Sequence, residues 1–406
     1  MKKNFKYNCE ECGREYEISK DLMLCPSCRE QDMEGKPLKG VLKVMLPREM
    51  ENSKKPGEFF DIFDYLPVEK EFFPQLPVGN TPFIKADRIE QRTGIRNVYL
   101  KFDGTNPTGS FKDRASYLVS AFAKKHGLNE IVLASTGNAA SSMSGIGASA
   151  GQKIYVFMPS TAPKAKLVQC MQYGATLVPI KGNYDKAFDL SLKFSERTGI
   201  LNRNTAFNPM TIEGKKTVSY ELCAQMKGAD ADYVFVPTGD GVIIDGVIKG
   251  FNDLKYLGLI SRIPKIVACQ AEESSFIYKA FHYNDFDLSY RASTIADSIS
   301  VDAARNGYSA VKSLKSVKGD AVTASDKEIL EAQKYLSSNT GIFTEPSSAV
   351  AYACMLNYLP SMTEDSTAVL LLTGHGLKDI ENASRLSGDI EIFEPDLNEI
   401  MEKLKI

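Results

Sequence analysis

Lys112 stands in the stretch GTNPTGSFKDRA, residues 104 to 115, after a run of small and turn-forming residues and before an acidic–basic pair, Asp113 and Arg114. A surface lysine needs no such setting. An amine that forms an imine with a carbonyl cofactor does, because it must be held at one place where it can lose its proton. Three other short stretches suit the same chemistry. STGNAA, residues 135 to 140, offers consecutive backbone N–H groups at a helix start, where Ser135, Thr136, Gly137 and Asn138 can hold a substrate carboxylate. TGDGVII, residues 238 to 244, is a second glycine turn opening a helix, a seat for a phosphate made by Gly239, Asp240, Gly241, Val242 and Ile243. TGHGLKD, residues 373 to 379, sets the Thr373 hydroxyl at a strand end, within reach of a heteroaromatic nitrogen. Each glycine turn alone is as readily a plain strand-to-helix connection. Together, an imine lysine, two anion cradles and a hydroxyl for a ring nitrogen are what pyridoxal 5'-phosphate requires.

A second constellation lies at the N-terminus, where CEECG and LCPSC place two residues between Cys9 and Cys12, two between Cys25 and Cys28, and twelve between the pairs. Each C-x-x-C pair can turn two sulfurs toward one metal, with Gly13 and Pro26 at the tight knuckles, and four thiolates complete a tetrahedral ion. Zinc suits such a site without redox chemistry, and iron is the other option. With all four positions filled by protein, the expected role is a structural staple whose loss loosens the N-terminal segment and leaves the cofactor untouched. Lys2, Lys3, Lys6 and Arg14 are balanced by Glu10, Glu11, Glu15 and Glu17, which argues against nucleic-acid binding there.

These residues must be positioned by elements, and the chain alternates short β-branched runs with longer amphipathic ones: EIVLAS, SSMSGIGASAG, KIYVFMP, KAKLVQCMQYG, ATLVPI, YDKAFDLSLKFSERTG. A second series follows in DYVFVP, GVIIDGVIKGFNDL, KIVACQ, DKEILEAQKYLSSN, PSSAVAYACMLNYL and TAVLLLT. The expected fold class is α/β, two open, mostly parallel α/β domains plus a small N-terminal metal ribbon built on the four cysteines. The ribbon and its linker are assigned to residues 1–45, the domain carrying Lys112 to 46–220, and the domain carrying the phosphate loop to 221–406. Within residues 36 to 75 the mixture of charge, proline and aromatic clusters suggests a wrapped connector whose aromatics dock. Loops that follow strands are where open parallel sheets bind ligands. The 406 residues are 43% hydrophobic, enough for two real cores, and the net charge of −2 provides no basic field for nucleic acid or anionic membrane. No signal-type N-terminus or spanning apolar run is found, and four of the eight cysteines are scattered, so a cytoplasmic enzyme with reduced thiols is expected.

Several of these stretches carry a resemblance. NTPF at 80 to 83, NPTGSFKDR, STGN, IEGKKT at 212 to 217, EPSSA at 345 to 349 and TGHGLKD resemble threonine synthase, a fold-type II pyridoxal-phosphate enzyme of tryptophan synthase β-like architecture, over about residues 77 to 380. The resemblance implies that Lys112 is the Schiff-base lysine, that Asn138 meets the cofactor 3'-oxygen, that 239 to 243 hold its phosphate, and that Thr373 meets the pyridine nitrogen. It also implies a lyase acting on O-phosphohomoserine and water to give threonine and phosphate, a small-molecule amino-acid substrate, and no nucleic-acid or membrane partner. A homodimer is the expected assembly.

The chain departs from that pattern where the substrate phosphate should lie. Ala139 follows the STGN asparagine in place of a threonine, Thr205 and Ala206 replace an asparagine–serine pair, and Thr211 replaces an arginine before IEG. A dianionic phosphate usually relies on at least one cation. O-phosphohomoserine is therefore expected to turn over poorly unless Lys164, Lys166, Lys215 or Lys216 reaches in, and Thr211→Arg should help if it fits. The alternative is β-elimination or β-replacement on another amino acid, in the manner of serine/threonine dehydratases or cysteate synthases. Asp240 would repel a phosphate, so its side chain is expected to turn away or cap the helix start. Glu345, just before Pro346, reads at least as readily as a helix-start charge as a catalytic acid; His375 reads as a loop residue, His126 as a C-terminal cap, and Cys170 and Cys223 as core.

Overall fold

A computed structural model of the chain describes residues 4–33, 36–162, 164–227, 230–286, 291–386 and 390–406, with the side chains of 164–166 outside that description. The N-terminal ribbon is a three-stranded antiparallel sheet of β1 (Lys6–Cys9), β2 (Glu15–Glu17) and β3 (Leu42–Met45), in the order β2-β1-β3. Its strands are short, so tight turns rather than length fix them. Gly13 takes a left-handed conformation (φ 70°) at the first knuckle and Gly40 (φ 75°) takes one beside the second, where an added Cβ would sit 3.0 Å from the Cys25 carbonyl oxygen.

The remaining strands are β4 (Phe83–Lys85), β5 (Asn97–Phe102), β6 (Glu130–Ala134), β7 (Lys153–Pro159), β8 (Thr176–Ile180), β9 (Leu201–Asn202), β10 (Tyr233–Pro237), β11 (Lys265–Ala271), β12 (Asp320–Ala324) and β13 (Thr367–Leu372). They form a six-stranded sheet, β12-β11-β10-β13-β5-β4, and a four-stranded sheet, β8-β7-β6-β9. All pairings in these two sheets are parallel except the edge pair β4 and β5. Uninterrupted runs such as YVFVP and TAVLLL become central strands because helices cover both faces, so alternation has no use there.

The strands do not divide at residue 220. β4 and β5, from residues 83–102, belong to the large sheet with β10 to β13, because β5 runs in register with β13 from Asn97 opposite Thr367 to Phe102 opposite Leu372. The consequence is local: the loop that leaves β5 toward Lys112 lies beside the loop that leaves β13 through Thr373. The connector does dock aromatics. Phe60 meets Tyr65 and Tyr220 edge-on, and Phe73 packs on Phe63 and Tyr117, while Phe59 stays exposed. Among the described residues no helix is long and apolar enough to cross a membrane.

Candidate functional site

Lys112 is the first residue of the helix Lys112–Lys125, and the loop before it is tied down on several sides. Phe111 N donates to Thr373 O at 2.7 Å, His375 N to Gly109 O at 3.0 Å, and Ser110 bridges Gly374. Both members of the acidic–basic pair are buried. Asp113 accepts from Thr108 N at 2.8 Å and Thr108 Oγ1 at 2.5 Å, closing the turn in front of the lysine. Arg114 sits on Asp103 (2.5 Å) and Glu221 (2.6 Å), with Lys101 2.6 Å from the same Glu221. Burial lowers the pKa of the Lys112 amine, and Asp240 and Glu345 oppose that only in part. An amine in this setting loses its proton more easily than a surface lysine.

The STGN stretch lies where β6 ends and the helix Asn138–Ala150 begins. Ser135 Oγ accepts from Gly137 N (3.2 Å) and Ala140 N (3.3 Å), shaping the turn, and a Cβ built on Gly137 would meet nothing within 4 Å. The turn thus has an open face with helix-start N–H groups behind it, and Thr136 is part of it. Asn138 Nδ2 donates to both carboxylate oxygens of Glu345 at 3.1 Å and to Ser298 Oγ at 3.1 Å. Glu345 therefore differs from the helix-start reading. It occupies the N-cap position of Pro346–Tyr358, yet makes no side-chain cap bond and turns its buried carboxylate toward Asn138, Lys112 and Lys378. Burial raises its pKa, against the pull of Asn138 and those two lysines. Gly374 makes room for it, since a Cβ there would collide with Glu345 Oε1 at 2.3 Å.

Thr373 Oγ1 is 3.1 Å from Ser348 Oγ, a partner from EPSSA, and the same serine accepts from Gly374 N at 2.7 Å. His375 keeps to its loop, with Nδ1 accepting from Leu377 N at 3.1 Å. His126 is the C-cap residue of the Lys112 helix, its ring 4.5 Å from Phe122. Cys170 is buried, and Cys223 only partly so.

The second glycine turn, Gly239 to Ile243, opens the helix Val242–Leu257. Gly241 has φ 88°, and Asp240 Oδ1 accepts from Val242 N at 3.0 Å, so the carboxylate does cap the helix start. Burial favours protonation of Asp240, but Lys215 and Lys112 hold it below the usual carboxylate range. Two cations not singled out together from the sequence flank it. Arg203 is fully buried with Nη2 unpartnered and Nε 3.4 Å from Ser116 Oγ. Lys215, also buried, reaches Thr205 Oγ1 at 3.4 Å. Burial lowers both pKa values, Arg203 to about 10, against the attraction of Asp240. Lys216 goes elsewhere, to Asp253 and Tyr65 O at 2.8 Å each and to Glu213. The side chains of Lys164 and Lys166 lie outside the described residues. Thr211 is buried and donates Oγ1 to Asn208 O at 2.7 Å, so an arginine there must displace packed neighbours.

The four stretches expected to act together thus converge. A cavity of about 260 Å³, lined by Gly137, Asn138, Ser141, Ser298, Glu345 and Lys378, opens beside them. The residues fit a phosphorylated pyridine aldehyde: a lysine of lowered basicity, a glycine turn that opens a helix, an amide and a strand-end hydroxyl. The four ribbon cysteines fit a metal. Their sulfurs lie within 4.8 Å of one another, with Cys9 to Cys28 at 3.8 Å and Cys12 to Cys25 at 3.7 Å, and a tetrahedron of Zn–S bonds near 2.3 Å has an edge of about 3.8 Å.

Comparison with known proteins follows the same lines. The family model described as pyridoxal-phosphate dependent enzyme matches residues 74–374. The threonine synthase of Methanocaldococcus jannaschii is 33% identical, covering 98% of this chain and 98% of its own length, and that of Methanosarcina acetivorans is 31% identical with the same coverage. Among solved structures, the processed form of threonine deaminase isoform 2 from Solanum lycopersicum aligns with a TM-score of 0.68 at 22% identity, over 90% of this chain and 96% of that one. The serine racemase of Dictyostelium discoideum gives 0.64 at 22% identity, over 73% and 92%. These likenesses agree on the fold-type II architecture with its parallel sheets.

Proposed function

The chain belongs to the pyridoxal-phosphate dependent enzyme family, and from that premise we propose that it is a lyase of threonine synthase type, converting O-phosphohomoserine and water to threonine and phosphate. The observation that carries the reading is the 2.7 Å bond from Phe111 N to Thr373 O, which joins the loop of the imine lysine to the loop of the ring-nitrogen hydroxyl. In this reading Lys112 carries the cofactor, Asn138 faces its 3'-oxygen, 239 to 243 hold its phosphate and Thr373 meets its nitrogen. The cofactor, when bound, supplies an electron sink for charge developed on the substrate carbon skeleton.

Lys112, freed by the incoming amino group, takes the proton from Cα and then from Cβ, and its lowered basicity suits both removal and return. The Ser135–Asn138 turn holds the substrate carboxylate with backbone N–H groups. Loss of the γ-phosphate breaks the Cγ–O bond, water adds at Cβ, and the protons return to carbon. Glu345, whose pKa burial raises, is the carboxyl that faces Lys112 and Asn138 and can act as an acid in that exchange. Arg203 supplies cationic charge that Thr211 does not, with the buried Lys215 amine as a further donor beside Thr205, which supports a phosphorylated substrate.

Ala139, Thr205 and Ala206 favour the second reading, β-elimination or β-replacement on another amino acid. Phosphate, ammonia and keto-acid release from O-phosphohomoserine, O-phosphoserine, serine and threonine separates the two. Threonine and phosphate from O-phosphohomoserine support the first; keto acid from serine or threonine, with O-phosphohomoserine inert, replaces it with the second. For the ribbon we propose one zinc held by Cys9, Cys12, Cys25 and Cys28.

A further inference from the structure

β3 of the ribbon starts beside the two metal knuckles and then reaches into the body of the protein. Cys25 N donates to Gly40 O at 2.8 Å and Leu42 pairs with Cys9, so the metal-bearing turns fix where β3 starts. The next residue, Lys43, points its amine at Asp245 Oδ1 (2.6 Å) and Ser313 Oγ (2.8 Å). Asp245 lies in the first turn of Val242–Leu257, and its buried carboxylate also accepts from Ser313 Oγ (2.7 Å), Ser309 Oγ (2.7 Å) and Asn306 Nδ2 (2.8 Å).

Asn306 closes the chain of contacts. Its N–H donates to Asp240 O at 3.0 Å and its Nδ2 reaches Gly241 O at 3.3 Å, so one fully buried side chain and its backbone hold two residues of the glycine turn. A second ribbon contact braces the two neighbours of Asn306 in the chain: Leu38 N donates to Arg305 O at 2.8 Å, and a Cβ on Gly307 would lie 3.1 Å from Pro37. Residues 37–38 and 43 of the ribbon thus bracket Asn306. A staple that merely docked would have no reason to converge on the residue that shapes this turn.

We propose that the four-cysteine ribbon is a positioning element for the cofactor phosphate turn, acting through Lys43, Asp245 and Asn306. The proposal rests on the assignment of residues 239–243 to the cofactor phosphate. Lys43 and Asp245 touch neither cofactor nor substrate; they fix Asn306, which fixes the backbone N–H groups of the turn. A buried carboxylate that loses its ammonium partner relaxes, and the turn relaxes with it.

The test is equilibrium dialysis of the full-length, metal-loaded protein against pyridoxal 5'-phosphate, read with the phosphorus resonance of the bound cofactor. Lys43→Met should weaken cofactor binding about tenfold or more and shift that resonance, with metal content unchanged, and Lys43→Arg should restore most of the affinity. Arg29→Ala, which breaks an exposed ribbon contact to Glu196, should leave both unchanged. Chelation of the wild type should reproduce the loss, and chelation of Lys43→Met should add little to it. A Lys43→Met protein that keeps its metal and binds cofactor as tightly as wild type overturns the proposal. Should that variant fail to fold, wild type stripped of metal yet undiminished in cofactor affinity overturns it equally. Binding by the wild type itself tests the functional reading, and the ratio of variant to wild type tests the ribbon.

Discussion

The side-chain amide of Asn138 lies 3.1 Å from each carboxylate oxygen of Glu345, though 207 residues separate them. The carboxyl is buried and its pKa is raised by that burial, so its charged form is disfavoured in the folded state. The sign follows: below the unfolded carboxyl pKa the group contributes nothing, and as pH rises above it the folded state bears an increasing cost. Glu345→Gln should therefore raise Tm at pH 7, by roughly 1 kcal/mol in stability, and leave it unchanged near pH 4. The same variant should lose at least about tenfold in kcat if the proton on Glu345 is used. Scanning calorimetry at the two pH values checks the first; equal Tm differences at both would contradict the assignment.

Reduction of the cofactor-loaded protein with borohydride should fix the cofactor to the peptide containing Lys112. Lys112→Ala should take up no reducible label and lose on the order of a thousandfold or more in turnover. A label found on Lys215, the other buried lysine beside Asp240, would move the imine to a different helix.

Arg203 is a buried cation with an unpartnered nitrogen, and Lys215 is a buried amine beside Thr205. Each charge-assisted bond to a phosphate contributes about 1.5 to 3 kcal/mol, so Arg203→Met or Lys215→Met should raise KM for O-phosphohomoserine by roughly 10- to 100-fold. Inhibition by inorganic phosphate should weaken in parallel. Thr211→Arg, attractive on sequence grounds, should instead lower the yield of folded protein, because Thr211 is buried and bonded within its own helical turn. Faster O-phosphohomoserine turnover by Thr211→Arg would return the anchor to that position.

Glu221, between Arg114 and Lys101, has its pKa lowered to about 2: burial raises it, and the two cations more than reverse that. Because the folded pKa is depressed, the stability it contributes is present above the unfolded value, about 4.3, and is lost as pH falls to about 2. Acid unfolding followed by circular dichroism should be shallower in Glu221→Gln over that window. Arg114→Met, which leaves Asp103 and Glu221 buried without their partner, should cost about 3 to 5 kcal/mol and disorder the Lys112 loop.

The purified chain should hold one zinc, measured by elemental emission. An iron spectrum, or less than half an equivalent of any metal, would count against the proposed zinc site of four cysteines.

What the sequence alone determined is what lies within a few residues of itself. The C-x-x-C spacings, the setting of Lys112 and the glycine turns at 137, 239 and 241 are local geometry, written by residue type and order. The cap formed by Asp240 is legible for the same reason, since it spans two residues. Tertiary structure decided the rest. Glu345 reads from its neighbours as a helix-start charge, and the bonds of residues 344 and 345 to the loop after β13, with the room left by Gly374, turn it toward Asn138. Arg203 carries no motif, and its importance comes from burial without a full set of partners, which no local pattern records. β4 and β5 join the large sheet because their register with β13 is set by contacts between residues far apart in the chain, Asn97 opposite Thr367 among them. Lys43 reads as one charge on a short strand; it reaches Asp245, 202 residues away, because folding brings β3 against the first turn of the helix Val242–Leu257. Side-chain pairs so far apart in the chain are specified by packing, and packing is a property of the whole fold.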